Sequence, residues 1–249
     1  MKGSIADAIS IQRAYYSATA DKYDDMHVHG DGEHEFAFAF MRSAIEFLEI
    51  ESVLDIGSGT GRALLRLRAT LPRLRVVGIE PSPELRERAI KKGISAAELI
   101  DGDARYLQFR DGEFDLVCAY GVLHHIPKPS LAVAEMLRVA RRAVFISDAN
   151  NFGQGQPLVR AIKQAIDSLG LWPLADLIKT RGKGYLLSAG DGLSYSYSVF
   201  NNYEQIRAAC ERVHLLDTTG GSVNLYRSAA HVALLGIKKD NNVPGRSLP

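Results

Sequence analysis

A single α/β domain, a largely parallel sheet with helices on both faces, is the fold class this sequence predicts. Three observations lead there. Between Ser52 and Asp148 short apolar runs recur without the polar alternation of a half-exposed strand, as strands buried on both faces require. Stretches with apolar residues at helical spacing separate these runs, and strand–helix alternation with right-handed crossovers gives a parallel sheet. A chain of 249 residues is long enough for one core that buries roughly three-quarters of its unfolded surface.

The elements follow in order. Ile5, Ile9, Ala14 and Tyr15 recur at near-helical spacing and predict a helix from Ile5 to Tyr23. The polar, glycine-punctuated stretch to His34 reads as a loop. Ala37, Phe40, Met41, Ala44, Ile45 and Leu48 share one face of a second helix, Phe36 to Ile50. Val53, Leu54 and Ile56 make the first buried strand. It runs into Gly57-Ser58-Gly59-Thr60-Gly61, where missing side chains permit a tight turn and close approach of a ligand. A helix to Thr70 follows, its free N–H groups facing the turn. Leu74–Ile79 is a second strand ending in Glu80, and Pro81-Ser82-Pro83 opens a helix to Lys92, capped by Ser82. A third strand-like stretch ends at Ile100–Ala104. Phe114–Tyr120 is a fourth strand leading through Gly121 to Pro127, Pro129–Ala140 a helix, and Ala143–Asp148 a fifth strand.

The rest of the chain departs from simple alternation. Asn150–Gln156 is polar, Pro157 begins an amphipathic helix, and Tyr195-Ser196-Tyr197-Ser198-Val199 alternates as an extended edge strand would. A helix at Tyr203–Val213 and closing strands near His214–Thr219 and His231–Ile237 then resume the core.

The glycine turn is built for a nucleotide-like ligand, and the acidic strand ends narrow the choice. A dinucleotide site has G-x-G-x-x-G and a helix N-terminus facing a pyrophosphate. Here the spacing is G-x-G-x-G, and the preceding Asp55 would repel a pyrophosphate but suits a cationic amino-acid end. Glu80 is placed to accept hydrogen bonds from both hydroxyls of a ribose. Asp103 can accept from an adenine amino group.

Together with Leu123-His124-His125-Ile126-Pro127, these segments resemble the motifs of class I S-adenosylmethionine (SAM)-dependent methyltransferases, over Ser52 to Asp148. The Leu-His-His-Ile-Pro segment aligns the chain with small-molecule members. The resemblance implies a Rossmann-like, seven-stranded, mostly parallel sheet with SAM as cofactor. It implies Asp55, Gly57 and Gly59, with Ser58 and Gly61 of the same turn, at the methionine end. Glu80 and the following Pro81 would lie at the ribose, and Asp103 (or Asp101) with Ala104 at the adenine. Tyr120 and Gly121 would pass the sulfonium, followed by His125. It further implies a domain plan: a helical lid over 1–50 carrying Tyr23, the cofactor core over 51–149, an inserted substrate cover over 150–202, completion of the core over 203–240, and a tail.

If the methyl acceptor is a hydroxyl, a base must take its proton. His124 and His125 are the candidates at neutral pH, with Asp148 as an alternative. Tyr185, Tyr195, Tyr197 and Asn150 are candidate contacts to a sugar or polyhydroxylated acceptor, and each tyrosine is equally explained as half-buried structure. Lys179, Arg181 and Lys183 can meet a phosphate or be simply solvated. His27, His29, Asp31 and His34 have ligand chemistry, but a loop accounts for them and no metal is assigned. Asp148 and Asn150 resemble the carboxylate–amide pair of metal-dependent catechol-type enzymes, yet the fourth strand ends in Ala119-Tyr120-Gly121 without an acidic partner.

Charge and composition bound the partners. With 30 basic and 29 acidic residues, net +1, there is no electrostatic case for nucleic acid. The Asn/Asp-Pro-Pro-aromatic segment of nucleic-acid amino methyltransferases is also missing. Cys118 and Cys210 form neither a disulfide framework nor a metal quartet. No apolar run reaches the ~20 residues of a membrane span and Met1–Asp7 lacks a signal peptide's apolar stretch, so a cytoplasmic enzyme without stable membrane insertion is expected. The Pro157 helix carries only Arg160 and Lys163 as cations, a weak basis for peripheral membrane binding. The expectation is methyl transfer to a small-molecule acceptor. A non-catalytic SAM-binding module and a nicotinamide oxidoreductase are the competitors, and no feature of the sequence fixes the oligomeric state.

Overall fold

In the computed structural model, which describes residues 5–24, 32–221 and 224–239, the apolar runs become the centre of one sheet. β1 (Ser52–Ile56) pairs in parallel with β2 (Arg75–Ile79) on one side and β4 (Phe114–Tyr120) on the other. β3 (Leu99–Ile100) flanks β2, and β5 (Ala140–Ala149) flanks β4, both in parallel. Two later strands, β8 (Arg212–Asp217) and β9 (His231–Ile237), complete the seven-stranded sheet in the order β3-β2-β1-β4-β5-β9-β8. β9 runs antiparallel to both its neighbours. The expected mostly parallel, Rossmann-like sheet is present.

The period of two along each strand divides the core into two layers. Leu54 and Ile56 face a layer closed by α5 (Pro129–Val139) and α8 (Tyr203–Ala209), which contribute Val133, Met136 and Ile206. Val53 faces the opposite layer. There α2 (Gly32–Phe47), α3 (Arg62–Thr70) and α4 (Pro83–Lys91) supply Met41, Ile45, Leu64, Leu67 and Ala89. Ser82 caps α4 as expected, its side chain accepting from the Leu85 N–H, with Pro83 in the first turn. Gly61 must be glycine twice over. Its φ is +80°, and an added Cβ would stand 1.9 Å from Ile94 Cδ1.

The structure differs from the expected elements in several places. α1 (Ile5–Thr19) gives way to a 3₁₀ turn, Ala20–Lys22, and α2 begins earlier than expected, at Gly32. The segment after β5 holds α6 (Pro157–Ser168) and a further helix, α7 (Trp172–Lys179). Pro173 concealed α7, yet it sits in the first turn, where a missing N–H costs nothing. The alternating tyrosines are not a strand. A short hairpin precedes them, β6 (Leu186–Ser188) and β7 (Gly192–Ser194), and of Tyr195–Val199 only Ser198 bridges, to Asn150. The expected helix to Val213 stops at Ala209 because Val213 and Leu215 pack on one layer and Leu216 on the other, a strand's alternation. A short helix, α9 (Leu225–Ser228), leads into β9. No helix among the described residues is long and apolar enough to cross a membrane. The expected tail at 241–249 lies outside the described residues.

The end of the sheet away from the glycine turn is tied by Asp115, which is 1% exposed. Its Oδ2 accepts from the Glu51 and Ser52 N–H groups at 3.0 and 3.1 Å, and its Oδ1 from Arg141 Nε at 2.8 Å. Burial pushes this carboxyl up, but the N–H donors and the Arg141 guanidinium outweigh it and hold it below the ordinary range. Asp115→Ala should therefore cost about 3 kcal/mol in urea unfolding at neutral pH. Because the folded value is depressed, the difference from the parent is full above about pH 4 and shrinks as pH falls through the folded value.

Candidate active site

The strand order reverses between β1 and β4, and ligands of open α/β sheets bind beyond the strand tips at such a point. Gly57 and Gly59 turn the chain there with φ of +67° and +55°. The turn is bonded to the tip of β2. Gly59 N–H donates to Glu80 Oε2 at 2.9 Å and Ser82 N–H to Oε1 at 2.8 Å. Glu80 is 4% exposed, and burial pushes its carboxyl up to about 7 despite these two donors.

Glu80 and Pro81 line one wall of an elongated recess, Asp103 and Ala104 another, and Tyr120, Gly121 and His125 its inner end. Burial pushes the Asp103 carboxyl up, but its two-point pairing with Arg105, closest at 2.6 Å, holds it below the ordinary range. Asp101, the alternative, is instead exposed and paired with Arg86 at 2.9 Å. Tyr23 roofs the glycine turn: a Cβ on Gly59 would lie 3.0 Å from its hydroxyl. Asp24 anchors that roof by accepting from Thr60 Oγ1 at 2.6 Å and pairing with Lys92 at 2.5 Å.

A second recess continues under the turn, lined by Asp55, Gly57, Ser58, Arg62 and Tyr120. Burial pushes the Asp55 carboxyl up to about 6, with Ser58, Cys118 and Arg62 opposing. A carboxylate and a guanidinium on one small recess suit the ammonium and carboxylate of a free amino-acid group. Gly59 and Gly61 line neither recess; the first donates to Glu80 and the second seats α3 against Ile94.

The third space is a polar cavity of about 580 Å³ that shares Tyr120, Gly121 and His125 with the first recess. His124 and His125 enter it from the one-turn 3₁₀ helix Leu123–His125 after β4. His124 Nδ1 lies 2.7 Å from Asp148 Oδ1, and Asp148, fully buried, also accepts from the Leu123 and Ala149 N–H groups at 2.8 and 2.7 Å. Asp148 thus faces His124 rather than the cavity. On the other side Asp191, from the β6–β7 turn, lies 3.3 Å from Nε2 of both His124 and His125. His125 Nδ1 is 2.6 Å from the Leu193 carbonyl. Burial pulls the His124 imidazole down, but the Asp148 and Asp191 carboxylates overcome it and raise it to about 10, while Asp148 falls to about 2. His124 therefore stands as an imidazolium between two carboxylates. The two Nε2 atoms and Asp191 converge closely enough to hold a divalent ion once His124 gives up its proton.

Of the acceptor candidates, Tyr195 and Tyr197 line this cavity, but Tyr197 is 4% exposed and donates to Asn202 Oδ1 at 3.0 Å. Tyr185 does not line the cavity but an adjoining recess with Arg181 and Lys183, its ring 6.4 Å from that of Tyr195. Asn150 is displaced from the site. Its amide donates to the Leu225, Tyr226 and Ala229 carbonyls and its oxygen accepts from Ser198, so the protein uses all of it; Asn151 lines the cavity instead. His27, His29 and Asp31 lie outside the described residues, while His34 lines the cavity with its ring 4.9 Å from that of His231. Arg62, His34, Asn151, Asp191 and His231 were not singled out for these positions. Only Arg62 carried a local signal, as the first residue of the helix after the glycine turn.

Residues 54–146 match a family model described as a methyltransferase domain. Residues 54–146 thus form a methyltransferase domain. The methyltransferase match sets aside the nicotinamide alternative. Among relatives, a phosphatidylethanolamine N-methyltransferase of Cereibacter sphaeroides is 35% identical over 119 residues, 46% of this chain and 57% of that one. A demethylmenaquinone methyltransferase of Roseiflexus is 34% identical over 109 residues, 43% of this chain and 46% of that one. The chain spans about half the length of the curated relatives it matches. Solved structures share the fold. A possible histamine N-methyltransferase of Thermotoga maritima has TM-score 0.57 at 18% identity, covering 91% of this chain and 99% of its own. The magnesium protoporphyrin IX methyltransferase of Synechocystis, with bound S-adenosylhomocysteine (SAH), has TM-score 0.55 at 16% identity, covering 93% and 100%.

The buried Glu80 carboxylate has the chemistry to take a ribose diol. Calorimetry should show Glu80→Ala binding SAM and SAH at least about tenfold more weakly, some 1.4 kcal/mol. Because the group is raised to about 7 in the empty protein, affinity in the parent should climb as pH passes from 6 to 8, and this climb should vanish in the variant.

Proposed function

We propose that this methyltransferase domain transfers the methyl group of SAM to a hydroxyl of a small, sugar-like or natural-product-like acceptor, in the manner of the Leu-His-His-Ile-Pro members. The carrying observation is the His124–Asp148 pair, opening onto a polar cavity that meets the nucleoside recess at Gly121 and His125. Phosphatidylethanolamine, demethylmenaquinone and magnesium protoporphyrin IX, named for three related proteins, share no chemical class. The acceptor is therefore argued from this chain's own cavity. In this reading residues 1–50 form the lid and 51–149 hold the cofactor. Residues 150–202 cover the acceptor, and 203–240 complete the sheet.

Bound SAM supplies a methyl group already activated on a sulfonium. The protein then has to orient an oxygen lone pair in line, exclude water and remove a proton. Asp55 and Arg62 would fix the amino-acid end, Glu80 the ribose, and Asp103 with Ala104 the adenine. Tyr120 and Gly121 would wall the transfer point. His124 Nε2 would receive the acceptor proton, with Asp148 holding the ring's orientation through Nδ1, as the acid of a Ser-His-Asp triad does. His125 stands between the two spaces and would position the acceptor.

This assigns a role to Asp191. In the empty site it helps keep His124 protonated and so unable to accept. An acceptor hydroxyl entering beside Nε2 takes the place of Asp191, and loss of that carboxylate lowers the imidazole toward a working base.

The test is a screen of sugars, phenols and amines for transfer from radiolabelled SAM. Methylation of amines alone would refute the hydroxyl assignment, and SAM binding with no transfer to any class would favour a non-catalytic module. With a hydroxyl acceptor in hand, His124→Ala should cut kcat about 10²- to 10⁴-fold while SAH affinity stays unchanged. Asp191→Asn removes a negative charge that raises His124, so the acidic limb of the kcat/KM profile should move to lower pH.

A further inference from the structure

Asn151 is 8% exposed, and its Nδ2 is the buried side-chain nitrogen or oxygen without a hydrogen-bond partner among the described residues. Its backbone is held firmly, the N–H donating to the Tyr197 carbonyl at 3.1 Å and its own carbonyl accepting from Lys163 Nζ. The amide is thus fixed in place on the wall of the acceptor cavity with its donors unused. An unpaired buried amide is destabilising, and a bound ligand oxygen removes that penalty.

The charge nearby points to the kind of oxygen. Lys179 lines the same cavity and donates to Ser196 Oγ at 3.1 Å, while Ser196 in turn donates to Asp176. Lys163 donates to the Asn151 and Gln154 carbonyls, and Arg160 to that of Ser228. None of these three cations is paired directly with a carboxylate among the described residues. Lys163 is pushed down by burial first, then by Lys179 and Arg160, which shows how closely the like charges crowd. Arg181 and Lys183 line the adjoining recess beside Tyr185 together with Lys179, and of the three only Lys179 also lines the cavity. The cavity wall therefore offers Asn151 and Lys179 as hydrogen-bond donors, alongside Arg62, Asp191 and the histidines.

We propose that the acceptor carries an anionic oxygen group, phosphate or carboxylate, bound by Asn151 Nδ2 and Lys179 Nζ so that its hydroxyl is presented to His124. The subsite deepens the methyltransferase reading and rests on it for the identity of the bound molecule. It adds the substrate class: an anionic, hydroxyl-bearing metabolite in place of a neutral sugar or phenol.

The test uses the full chain, ¹⁵N-labelled and loaded with SAH. Inorganic phosphate and acetate are titrated in at constant ionic strength, and the Asn151 side-chain amide, assigned by its loss in Asn151→Ser, is followed by NMR. We expect a saturable shift of that resonance, with the stronger binder of the two naming phosphate or carboxylate as the natural group. Lys179→Gln should weaken the binding at least tenfold and leave SAH affinity unchanged. A flat titration with both anions overturns the proposal, as does a Lys179→Gln protein that binds them like the parent. Should Asn151→Ser fail to fold, the parent's resonance can be assigned by triple-resonance spectra and the titration stands alone. Failure of SAH to bind would instead strike the cofactor reading, and the anion titration on unliganded protein would still decide the subsite.

Discussion

The buried carboxylate of Glu80 is the constraint on which the site depends. It sits at the tip of β2, yet its two oxygens are bonded to the Gly59 N–H of the first turn and the Ser82 N–H at the head of α4. A single side chain thereby joins two strand tips and a helix start. Burial without those donors would leave a costly lone charge. With them, the carboxylate fixes the open shape of the glycine turn, whose positive φ angles only glycine takes without strain. Asp55 and Arg62 under the turn, and Tyr23 over it, are placed with respect to that shape.

Electrostatics divides the labour across the sheet. Around the glycine turn, burial pushes the Asp55 and Glu80 carboxyls up, so both hold their charge less firmly than a free carboxylate. Beyond the tips of β4 and β5 the opposite holds. Asp148 is charged because Leu123, Ala149 and His124 all donate to it, and Asp191 is charged because both histidines face it. The tips of β4 and β5 thus carry an imidazole held between two carboxylates, whereas the tip of β2 carries a carboxylate held by two backbone N–H groups.

Much of this was legible in the sequence because it is local. The apolar runs located β1, β2, β4 and β5, and acidic residues at the ends of β1, β2 and β5 and after β3 marked Asp55, Glu80, Asp148 and Asp103 without any knowledge of contacts. The inserted region resisted for physical reasons. Asp191 reaches the histidines across a hairpin whose register no local pattern announces. Asn150 and Asn151 differ by one position at the end of β5, where a step of one residue reverses the direction of a side chain. That step decides which of them is spent on the α9 segment and which lines the cavity. Tyr197 reads as an acceptor contact or a half-buried strand residue, and in the fold it turns inward and donates to Asn202. Helix α7 was hidden by a proline that is tolerated only because it falls in the first turn.

The first helix touches both halves of the site. Ser17 donates to Glu84 beside the nucleoside recess, and Asp21 pairs with Arg88. On the other side Gln12 Oε1 accepts from the Leu193 N–H at 2.6 Å, and the Tyr15 hydroxyl donates to the Ala189 carbonyl at 3.1 Å. These last two clamp the hairpin that presents Asp191. One arm therefore ties the hairpin that carries Asp191 to the helix that starts beside Glu80, so a substitution in it is felt at both.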